Sequence, residues 1–544
     1  MKKHIVNAIG AIAGGLVLAA QAQAAPTTID VSHVAVTHKV SALPAGWNRN
    51  AAFMEIFVRS YQDSNGDGIG DFNGLTSRLD YLKSLGVTGI WLMPMMPAQD
   101  GDHGYAVSDY RAVNPDYGTM ADFERFIAEA HKRGIGVILD FVVNHSAADN
   151  PLFVNAASSK TSPYRDWYVF SDTNPGWYDA KIRGQDGAFW GDPWKPATKV
   201  SKDGVGYYYG VFSDEMPDFN WRNPKVIAYM QDTMRFWLNK GVDGFRLDAV
   251  TMLLEDGPKS YFNNPGNPAL VAKLRETLDA YDNRYMICEV SEGAEKYTGA
   301  CGHAFAYGTQ QLIIDSAKKG KLDEKVVTAL QNPARDTMPL ALQSHDSYVG
   351  DRLIDQFGVN GEPSYKVAAA VSILASGTPF SYYGEEIGMS NGGTFNDPGL
   401  RSVMSWDASR PAAGFSTHWP YREPAINFAS QNVAAETGDR DSLLAWYTRL
   451  YTVRRDHPVL GDGQFQLLSK TGYAVLAFSR TSAKDQALVA INLSEAPQTV
   501  TFKAVAGKRF ADSLSGAGDT TVDASGSLTV RVAAKSAMVL TPAS

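Results

Sequence analysis

The chain has 544 residues, more than one compact core usually holds, so its length predicts two or three domains. Its formal net charge of −8 at pH 7 comes from interspersed acidic and basic residues, which argues against nucleic acid or an anionic membrane as the main partner. Beyond the N-terminus no run of 18 apolar residues occurs, so we expect no membrane association once the N-terminal signal is cleaved.

The N-terminus has the pattern of a secretory signal peptide. Lys2 and Lys3 form a basic start, and small or apolar residues follow from Ile5 to about Ala20. Ala22-Gln23-Ala24 then fits a small-x-small cleavage pattern. We therefore predict a signal peptide over residues 1–24 and export to the periplasm or the medium. A membrane anchor is the alternative, but the apolar run is short and diluted by Gly and Ala.

Only two cysteines occur, Cys288 and Cys301. Two are too few for a disulfide framework or a four-cysteine zinc site. Two interpretations stay open at this point. Export permits one bridge between them, and two unpaired buried thiols are the alternative.

From about residue 51, apolar strands alternate with amphipathic helices. This alternation predicts a parallel sheet, and the number of buried strands favours a closed (β/α)8 TIM barrel over an open sheet. We place the barrel over residues 45–145 and 211–458. The predicted strands are Phe53–Val58, Gly89–Met93, Gly136–Val143, Gly244–Ala249, Tyr285–Val290, Leu340–Gln343 and Pro379–Tyr383, and the predicted helices are Leu75–Leu85, Met120–Arg133, Val226–Asn239, Pro268–Tyr281 and Tyr365–Leu374.

Two stretches break this alternation. Residues 146–210, after the third strand, are rich in Trp, Tyr, Gly, Asp and Pro and too long for an ordinary loop, so they predict a small inserted domain. After residue 458 the pattern changes to short alternating segments such as Tyr473–Phe478, separated by turn residues. This predicts a C-terminal antiparallel β-sandwich over residues 459–544.

Several predicted strands end in charged or imidazole side chains. Chemistry in a parallel barrel takes place at the carboxyl ends of its strands. A single polar residue there is usually a hydrogen-bonded core group or a helix cap. Four successive cases disfavour that explanation, because burying several carboxylates together is costly unless a substrate or cation needs them. The groups are Asp140 with Asn144 and His145, Arg246 with Asp248, Glu289, and His345 with Asp346.

These segments resemble the signature regions of the α-amylase family, glycoside hydrolase family 13. They occur in the family's order, and the resemblance runs from about Phe53 to the C-terminus. Any one motif alone is weak, whereas the set is specific. The matching segments are Asp140–His145, Met216–Asn220, Gly244–Ala249, Glu289–Val290 and Ser344–Asp346.

The resemblance implies a retaining, double-displacement glycosidase and a role for each carboxylate. Asp248 matches the family's nucleophile, and Glu289 matches the acid that protonates the leaving oxygen and then activates water. Asp346 matches the residue that grips the 2- and 3-hydroxyls of the sugar. Arg246, two residues before Asp248 on the same strand face, is expected to hold Asp248 ionised.

Further residues are implied to bind the substrate. Tyr105 matches the tyrosine that stacks on the sugar at the cleavage point, and His145 and His345 match histidines that bind its hydroxyls. Asp102 and Arg401 match positions that close the pocket in exo-acting α-glucosidases. If they pair, we expect long chains to fit poorly.

A second motif, Asp63–Asp71, places oxygen-bearing side chains at alternate positions. It begins like an EF-hand loop, but Gly74 stands at the twelfth position and a strand precedes it, so an EF-hand is rejected. The segment resembles the calcium loop of the family's oligo-1,6-glucosidase and intermediary branches. This implies a structural Ca²⁺, and a solvated Asp/Gly turn is the alternative. The implied ligands are Asp63, Asn65, Asp67, the Ile69 carbonyl and Asp71.

Departures from the family pattern bear on specificity. Thr251-Met252 stands where many α-amylases have Lys-His. This puts in doubt their usual aglycone contacts and the older interdomain calcium site, for which Asn144 and Asp218 would be candidates.

The resemblance implies an α-amylase-type enzyme, expected to be a monomer, that cleaves α-1,4 bonds in starch or maltooligosaccharides. The alternatives are an exo-acting α-glucosidase, an oligo-1,6-glucosidase or a glucosyl-transferring relative. A non-catalytic barrel subunit is disfavoured because all three carboxylates are present.

Overall fold

The computed structural model describes residues 28–177, 192–358 and 360–543. Within these ranges a parallel sheet of seven strands forms the core of the chain, and the predicted TIM barrel is confirmed. The predicted signal peptide, residues 1–24, lies outside the described ranges. In chain order the strands of the parallel sheet are Phe53–Ile56, Gly89–Leu92, Gly136–Val142, Gly244–Asp248, Tyr285–Cys288, His303–Ala304 and Phe380–Tyr382.

An extended segment around Ala341 takes the seventh barrel position and closes the sheet. Ala341 forms a parallel bridge with Phe380 of the last strand, and Ala306 donates its N–H to the Pro339 carbonyl at 3.1 Å. The last strand in turn pairs with the first. The predicted strand Leu340–Gln343 is therefore reduced to a bridge. The sixth strand, His303–Ala304, was not predicted because two residues carry no readable apolar pattern.

The first five barrel strands are buried along their whole length, which explains why they have continuous apolar sequence rather than alternation. Gly244 shows how closely the fourth and fifth strands approach, because a Cβ there would lie 1.7 Å from the Tyr285 carbonyl oxygen. The principal helices packed around the sheet are Met120–Lys132, Pro224–Asn239, Asn267–Asp279, Glu295–Cys301, Thr309–Lys319, Glu324–Gln331, Glu362–Ala375 and Leu443–Asp456.

The predicted helix Leu75–Leu85 is two helices, Phe72–Ser77 and Leu79–Leu85. Arg78 separates them, with backbone angles of φ −100° and ψ 3°. Its guanidinium donates to the Gln62 side chain at 2.7 Å and lies 3.9 Å from the centre of the Trp406 ring. These long-range contacts fix the break, and the local apolar spacing could not reveal them.

The region predicted as an inserted domain holds the helix Pro151–Ser158 and a three-stranded antiparallel sheet, and its residues 178–191 lie outside the described ranges. Trp194 and Tyr209 of this region pack against Ala249 and Met252, which follow the fourth barrel strand. The insertion therefore covers the barrel at the end where the charged residues were predicted. Its strands are Phe170–Ser171, Trp194–Pro196 and Tyr207–Tyr209.

The C-terminal region is an antiparallel β domain, as predicted. A six-stranded and a two-stranded sheet enclose a small core that includes Leu488, Phe502, Phe510 and Leu528. The strands are Gln464–Leu467, Val475–Thr481, Gln486–Asn492, Gln498–Lys503, Arg509–Asp512, Ala517–Thr521, Ser527–Val532 and Ser536–Pro542.

Cys288, the last residue of the fifth barrel strand, forms a disulfide with Cys301. The bridge joins this strand to the helix Glu295–Cys301, which follows it in the chain. Of the two interpretations of the cysteines, the structure adopts the bridge, which is typical of proteins in oxidising compartments. No helix in the described ranges has the length and apolar character needed to cross a bilayer.

Candidate active site

Arg246 lies at the centre of the charged residues at the carboxyl end of the barrel. Its side chain is fully buried, and Nη1 lies 2.6 Å from Asp248 and 3.0 Å from Asp140. Nη2 lies 3.1 Å from Glu289. The third, fourth and fifth strands thus each bring one carboxylate to the same guanidinium, as the positions of these residues at the strand ends predicted.

One cation does not neutralise three buried carboxylates. Burial raises the pKa of Asp248 well above its usual range; Arg246 lowers it, while Glu289 and Asp140 raise it further. Burial also raises the pKa of Asp140 to about 6, although Arg246 and His345 act against this. Arg246 thus favours ionised Asp248, as expected, without outweighing burial. The cluster therefore keeps a proton at a pH where isolated carboxyls have lost theirs.

Glu289 is oriented by two donors that the sequence did not reveal. Its Oε2 accepts the backbone N–H of Ala249 at 2.9 Å, and its Oε1 accepts the Tyr348 hydroxyl at 2.7 Å. Ala249 has φ 47° and ψ 33°, a left-handed conformation that is costly for a residue with a Cβ. The strained turn directly after Asp248 therefore directs an N–H group at Glu289. These contacts fix the second carboxylate relative to the first.

Asp346 lies among cations. His345 Nε2 is 3.1 Å from its Oδ2, and Arg401 Nη2 is 3.2 Å from its Oδ1. Burial alone would raise the pKa of Asp346, but His345, Arg401 and Arg246 outweigh it and hold that carboxyl well below its usual range. Asp346 is therefore an anion at any working pH, which suits a hydrogen-bond acceptor for hydroxyl groups and not a proton donor.

Tyr105 and His145 line the same pocket, and the buried His345 contacts Tyr105. The Tyr105 hydroxyl donates to Asp140 at 3.0 Å and lies 2.7 Å from His345 Nε2. Burial lowers the pKa of His145 to about 3, so its ring is neutral at working pH. His145 is one of the residues that line the pocket. A neutral imidazole at this position suits the predicted contact with a sugar hydroxyl.

Asp102 and Arg401, predicted to close the pocket, lie 3.9 Å apart. Asp102 forms a shorter ion pair with Arg422, at 2.6 Å. Arg401 also contacts Asp397 at 3.3 Å, and Asp397 accepts the N–H of Ser347 at 2.8 Å. Four charged residues therefore form a wall directly beside Asp346, namely Asp102, Asp397, Arg401 and Arg422. Phe212, Met216, Thr251 and Met252 also line the pocket.

The predicted calcium loop is stabilised by its own N–H groups. Asp63 accepts the N–H groups of Gly66 at 2.7 Å and Gly68 at 2.8 Å, and the Ser416 hydroxyl at 2.6 Å. Asp71 caps the helix Phe72–Ser77 by accepting the N–H of Gly74. In the part of the chain that the structure describes, no group of three or more His, Cys, Asp or Glu is arranged to hold a metal.

The remaining members of the loop also contact one another. Asn65 Oδ1 accepts the N–H of Asp67 at 2.8 Å, and Asp67 accepts the N–H of Ile69 at 2.8 Å. The all-oxygen donor set suits a hard cation such as Ca²⁺, although the Asn65 amide that donates to Asp67 would have to turn away. Calcium therefore stays a prediction.

Asn144 and Asp218, the candidate ligands of an interdomain calcium site, contact each other directly. The Asn144 amide donates to Asp218 at 3.0 Å, and burial raises the pKa of Asp218 well above its usual range. A direct hydrogen bond to a carboxyl with a raised pKa joins the two residues that were the candidate ligands. This agrees with the doubt that Thr251-Met252 raised about a cation at this position.

The chain is similar to several known proteins. A family model described as "Alpha amylase, catalytic domain" matches residues 55–463, and one described as "Maltogenic Amylase, C-terminal domain" matches residues 465–539. Oligo-1,6-glucosidase of Parageobacillus thermoglucosidasius is 32% identical over 522 residues, covering 82% of this chain and 91% of the relative. Alpha-amylase 3 of Dictyoglomus thermophilum is 33% identical over 470 residues, covering 84% and 87%. The crystal structure of an α-amylase from H. orenii matches with a TM-score of 0.77 and 32% identity, covering 91% of this chain and 100% of that one.

Proposed function

This chain belongs to the α-amylase family of glycosidases, and from that membership we propose that it hydrolyses α-glucosidic bonds of short α-1,4-linked glucans by a retaining double displacement. The observation that carries the proposal is the meeting of Asp248 and Glu289 on the two terminal nitrogens of Arg246. Two carboxyl groups that share one guanidinium lie close together, and a short separation is what the retaining mechanism requires.

In the proposed first step the Asp248 carboxylate attacks C1 of the sugar while Glu289 protonates the departing oxygen. Arg246 balances the negative charge that remains on the pair. In the second step Glu289 removes a proton from water, and that water releases the sugar from Asp248. The N–H of Ala249 and the hydroxyl of Tyr348 keep Glu289 in place through both steps.

The sugar whose C1 reacts would be held by groups on both sides. Asp346 is an anion with cations behind it, so it accepts hydrogen bonds from two neighbouring hydroxyls. His145 lines the pocket from the loop after the third strand. The ring of Tyr105 supplies an apolar face for stacking on the sugar.

The wall beside Asp346 supports exo-action over endo-action. Arg401 contacts both Asp346 and Asp102. These ion pairs block the space directly beyond the sugar that Asp346 would hold. Arg422 fixes Asp102 from the other side. An α-glucan chain would therefore enter with one terminal glucose unit, as an α-glucosidase substrate does.

An α-amylase acting within chains is the second candidate. It is supported by the 33% identity to Alpha-amylase 3 and by the segment Met216–Asn220, which resembles the version found in an intermediary group that includes α-amylases. Starch and p-nitrophenyl α-glucoside separate the two candidates. Glucose as the sole early product from maltoheptaose supports the exo-acting enzyme, and maltooligosaccharides from starch support the amylase.

Replacing Asp102 by Ala should open the pocket. Because the variant removes the carboxylate between Arg401 and Arg422, we expect kcat/KM for maltoheptaose to rise about 10-fold relative to that for p-nitrophenyl α-glucoside. Products should shift from glucose to longer fragments. Asp80→Ala, which breaks an ion pair with Arg133 on the outer surface, is the control and should leave the ratio unchanged. An unaltered ratio in Asp102→Ala would contradict the closed wall.

We also propose a structural Ca²⁺ on the Asp63–Asp71 loop. A cation at 100 times its dissociation constant stabilises the folded state by about 2.7 kcal/mol, so the Tm should rise when calcium replaces a chelator. In Asp67→Asn this rise should disappear, because one ligand charge is lost while the side chain keeps its size. Asp80→Asn should keep the rise. A Tm that does not respond to calcium in the wild type would exclude the site.

A further inference from the structure

Glu55 is a buried carboxylate that the proposed reaction does not use. It lies on the first barrel strand between Met54 and Ile56, and its exposed fraction is 2%. A carboxylate inside an otherwise apolar strand is costly unless a cation and hydrogen bonds compensate it. The partner is Nδ1 of His345, with which its Oε1 makes a short contact across 290 positions of the sequence.

The other ring nitrogen of His345 also faces a carboxylate. Nε2 lies 3.1 Å from Asp346 and 2.7 Å from the Tyr105 hydroxyl. That hydroxyl donates its own proton to Asp140, so it accepts from Nε2. A neutral imidazole can donate from only one nitrogen, whereas here both nitrogens face acceptors. The surroundings therefore select the doubly protonated imidazolium.

We propose that Glu55 is a positioning residue of the glycosidase reaction, which holds His345 as an imidazolium that keeps Asp346 ionised and aimed at the sugar. The inference rests on the proposed function, because Asp346 matters only if it binds the substrate. Replacing Glu55 by Gln leaves an acceptor at Nδ1 but removes its charge. A neutral His345 that donates from Nδ1 then presents a bare Nε2 to Asp346, and the contact between them becomes repulsive.

Charged groups reach the imidazole from several elements. Glu55 comes from the first strand, Asp140 from the third, and Asp346 from the residue that follows His345. The cations Arg246 and Arg401 contact those carboxylates rather than the ring, although Arg401 also donates to the His345 carbonyl at 3.1 Å. Three tyrosines also lie near Glu55 or Asp346, namely Tyr105, Tyr307 and Tyr382.

The net effect of these groups favours the charged ring. Burial alone would lower the pKa of His345, but Asp346 and Glu55 raise it to about 10. The imidazolium therefore persists below that pH and is lost as the pH rises through it.

The test compares the pH profiles of kcat/KM for wild type and Glu55→Gln with α-glucosyl fluoride, whose leaving group needs no proton from Glu289. In Glu55→Gln we expect near-normal activity at acidic pH and an alkaline limb moved down by about 1–3 pH units, because an opposite charge at this distance shifts a pKa by that amount. Loss by the same factor at every pH, or no change, would overturn the proposal.

Asp243→Asn is the matched control. Asp243 is a fully buried carboxylate paired with His131 at 2.7 Å, and it lies just before the fourth strand, at the end of the barrel away from the pocket. This variant should leave the alkaline limb where the wild type has it. A limb that moves equally in both variants would assign the effect to lost stability and overturn the proposal.

A second measurement does not depend on turnover. In ¹⁵N-histidine NMR spectra of the substrate-free wild type, assigned with a His345→Asn variant, the His345 ring should stay doubly protonated above neutral pH, and in Glu55→Gln it should deprotonate at lower pH. A neutral His345 ring in the wild type at pH 7 would overturn the proposal even if Glu55→Gln fails to fold. An enzyme without glycosidase activity but with this spectrum would instead refute the proposed function.

Discussion

Replacing Asp248 by Asn is expected to lower kcat on maltooligosaccharides by on the order of 10⁴-fold or more without unfolding the protein. The amide cannot attack C1, while its size and one acceptor oxygen are kept. Arg246 stays compensated by Asp140 and Glu289, which lie 3.0 and 3.1 Å from it, so no cation is left buried alone. Steady-state kinetics measures the loss of kcat, and circular dichroism checks that the protein stays folded.

Azide tests whether Asp248 is the nucleophile. In Asp248→Ala, azide can enter the space of the lost carboxylate and attack α-glucosyl fluoride directly, so the product should be the β-azide. Asp80→Asn, which alters only an exposed carboxylate that pairs with Arg133, should behave as the wild type. Retained turnover of maltooligosaccharides in Asp248→Asn would refute the assignment.

The positions of the proposed catalytic residues could be predicted because they depend on local order along the chain. Asp248 and Glu289 each end an apolar strand, and parallel strands bring their carboxyl ends together. Most of the strands could also be predicted, because each is a continuous apolar run in the sequence. The short strand His303–Ala304 and the helix break at Arg78 could not be predicted, because both are set by neighbours distant in sequence.

The contacts that tune the site could not be predicted, since they join distant segments. Tyr348 donates to Glu289 across 59 positions, and Arg422 pairs with Asp102 across 320. Neither residue belongs to a motif. The charge state of Asp248 was also out of reach, because Arg246 is visible in the sequence whereas the degree of burial that opposes it is not.

Replacing Glu289 by Ala should separate the two proposed steps. Removing the acid should lower kcat/KM for maltotriose by about 10²–10⁴-fold, because the departing sugar oxygen must be protonated. Formation of the glucosyl-enzyme from α-glucosyl fluoride should change much less, since fluoride leaves without a proton. The intermediate should then accumulate, because water has lost the base that activates it. A burst of fluoride followed by slow turnover would report this.

Azide distinguishes this variant from Asp248→Ala by the stereochemistry of the product. Azide needs no base, so it should restore turnover of α-glucosyl fluoride in Glu289→Ala by attacking the intermediate on the face opposite Asp248. The product is then the α-azide, the opposite anomer from that expected with Asp248→Ala. Because both carboxylates contact the same guanidinium, charge and distance alone do not separate their roles. The anomer of the azide product does, and the β-azide from both variants would exclude a covalent intermediate on Asp248.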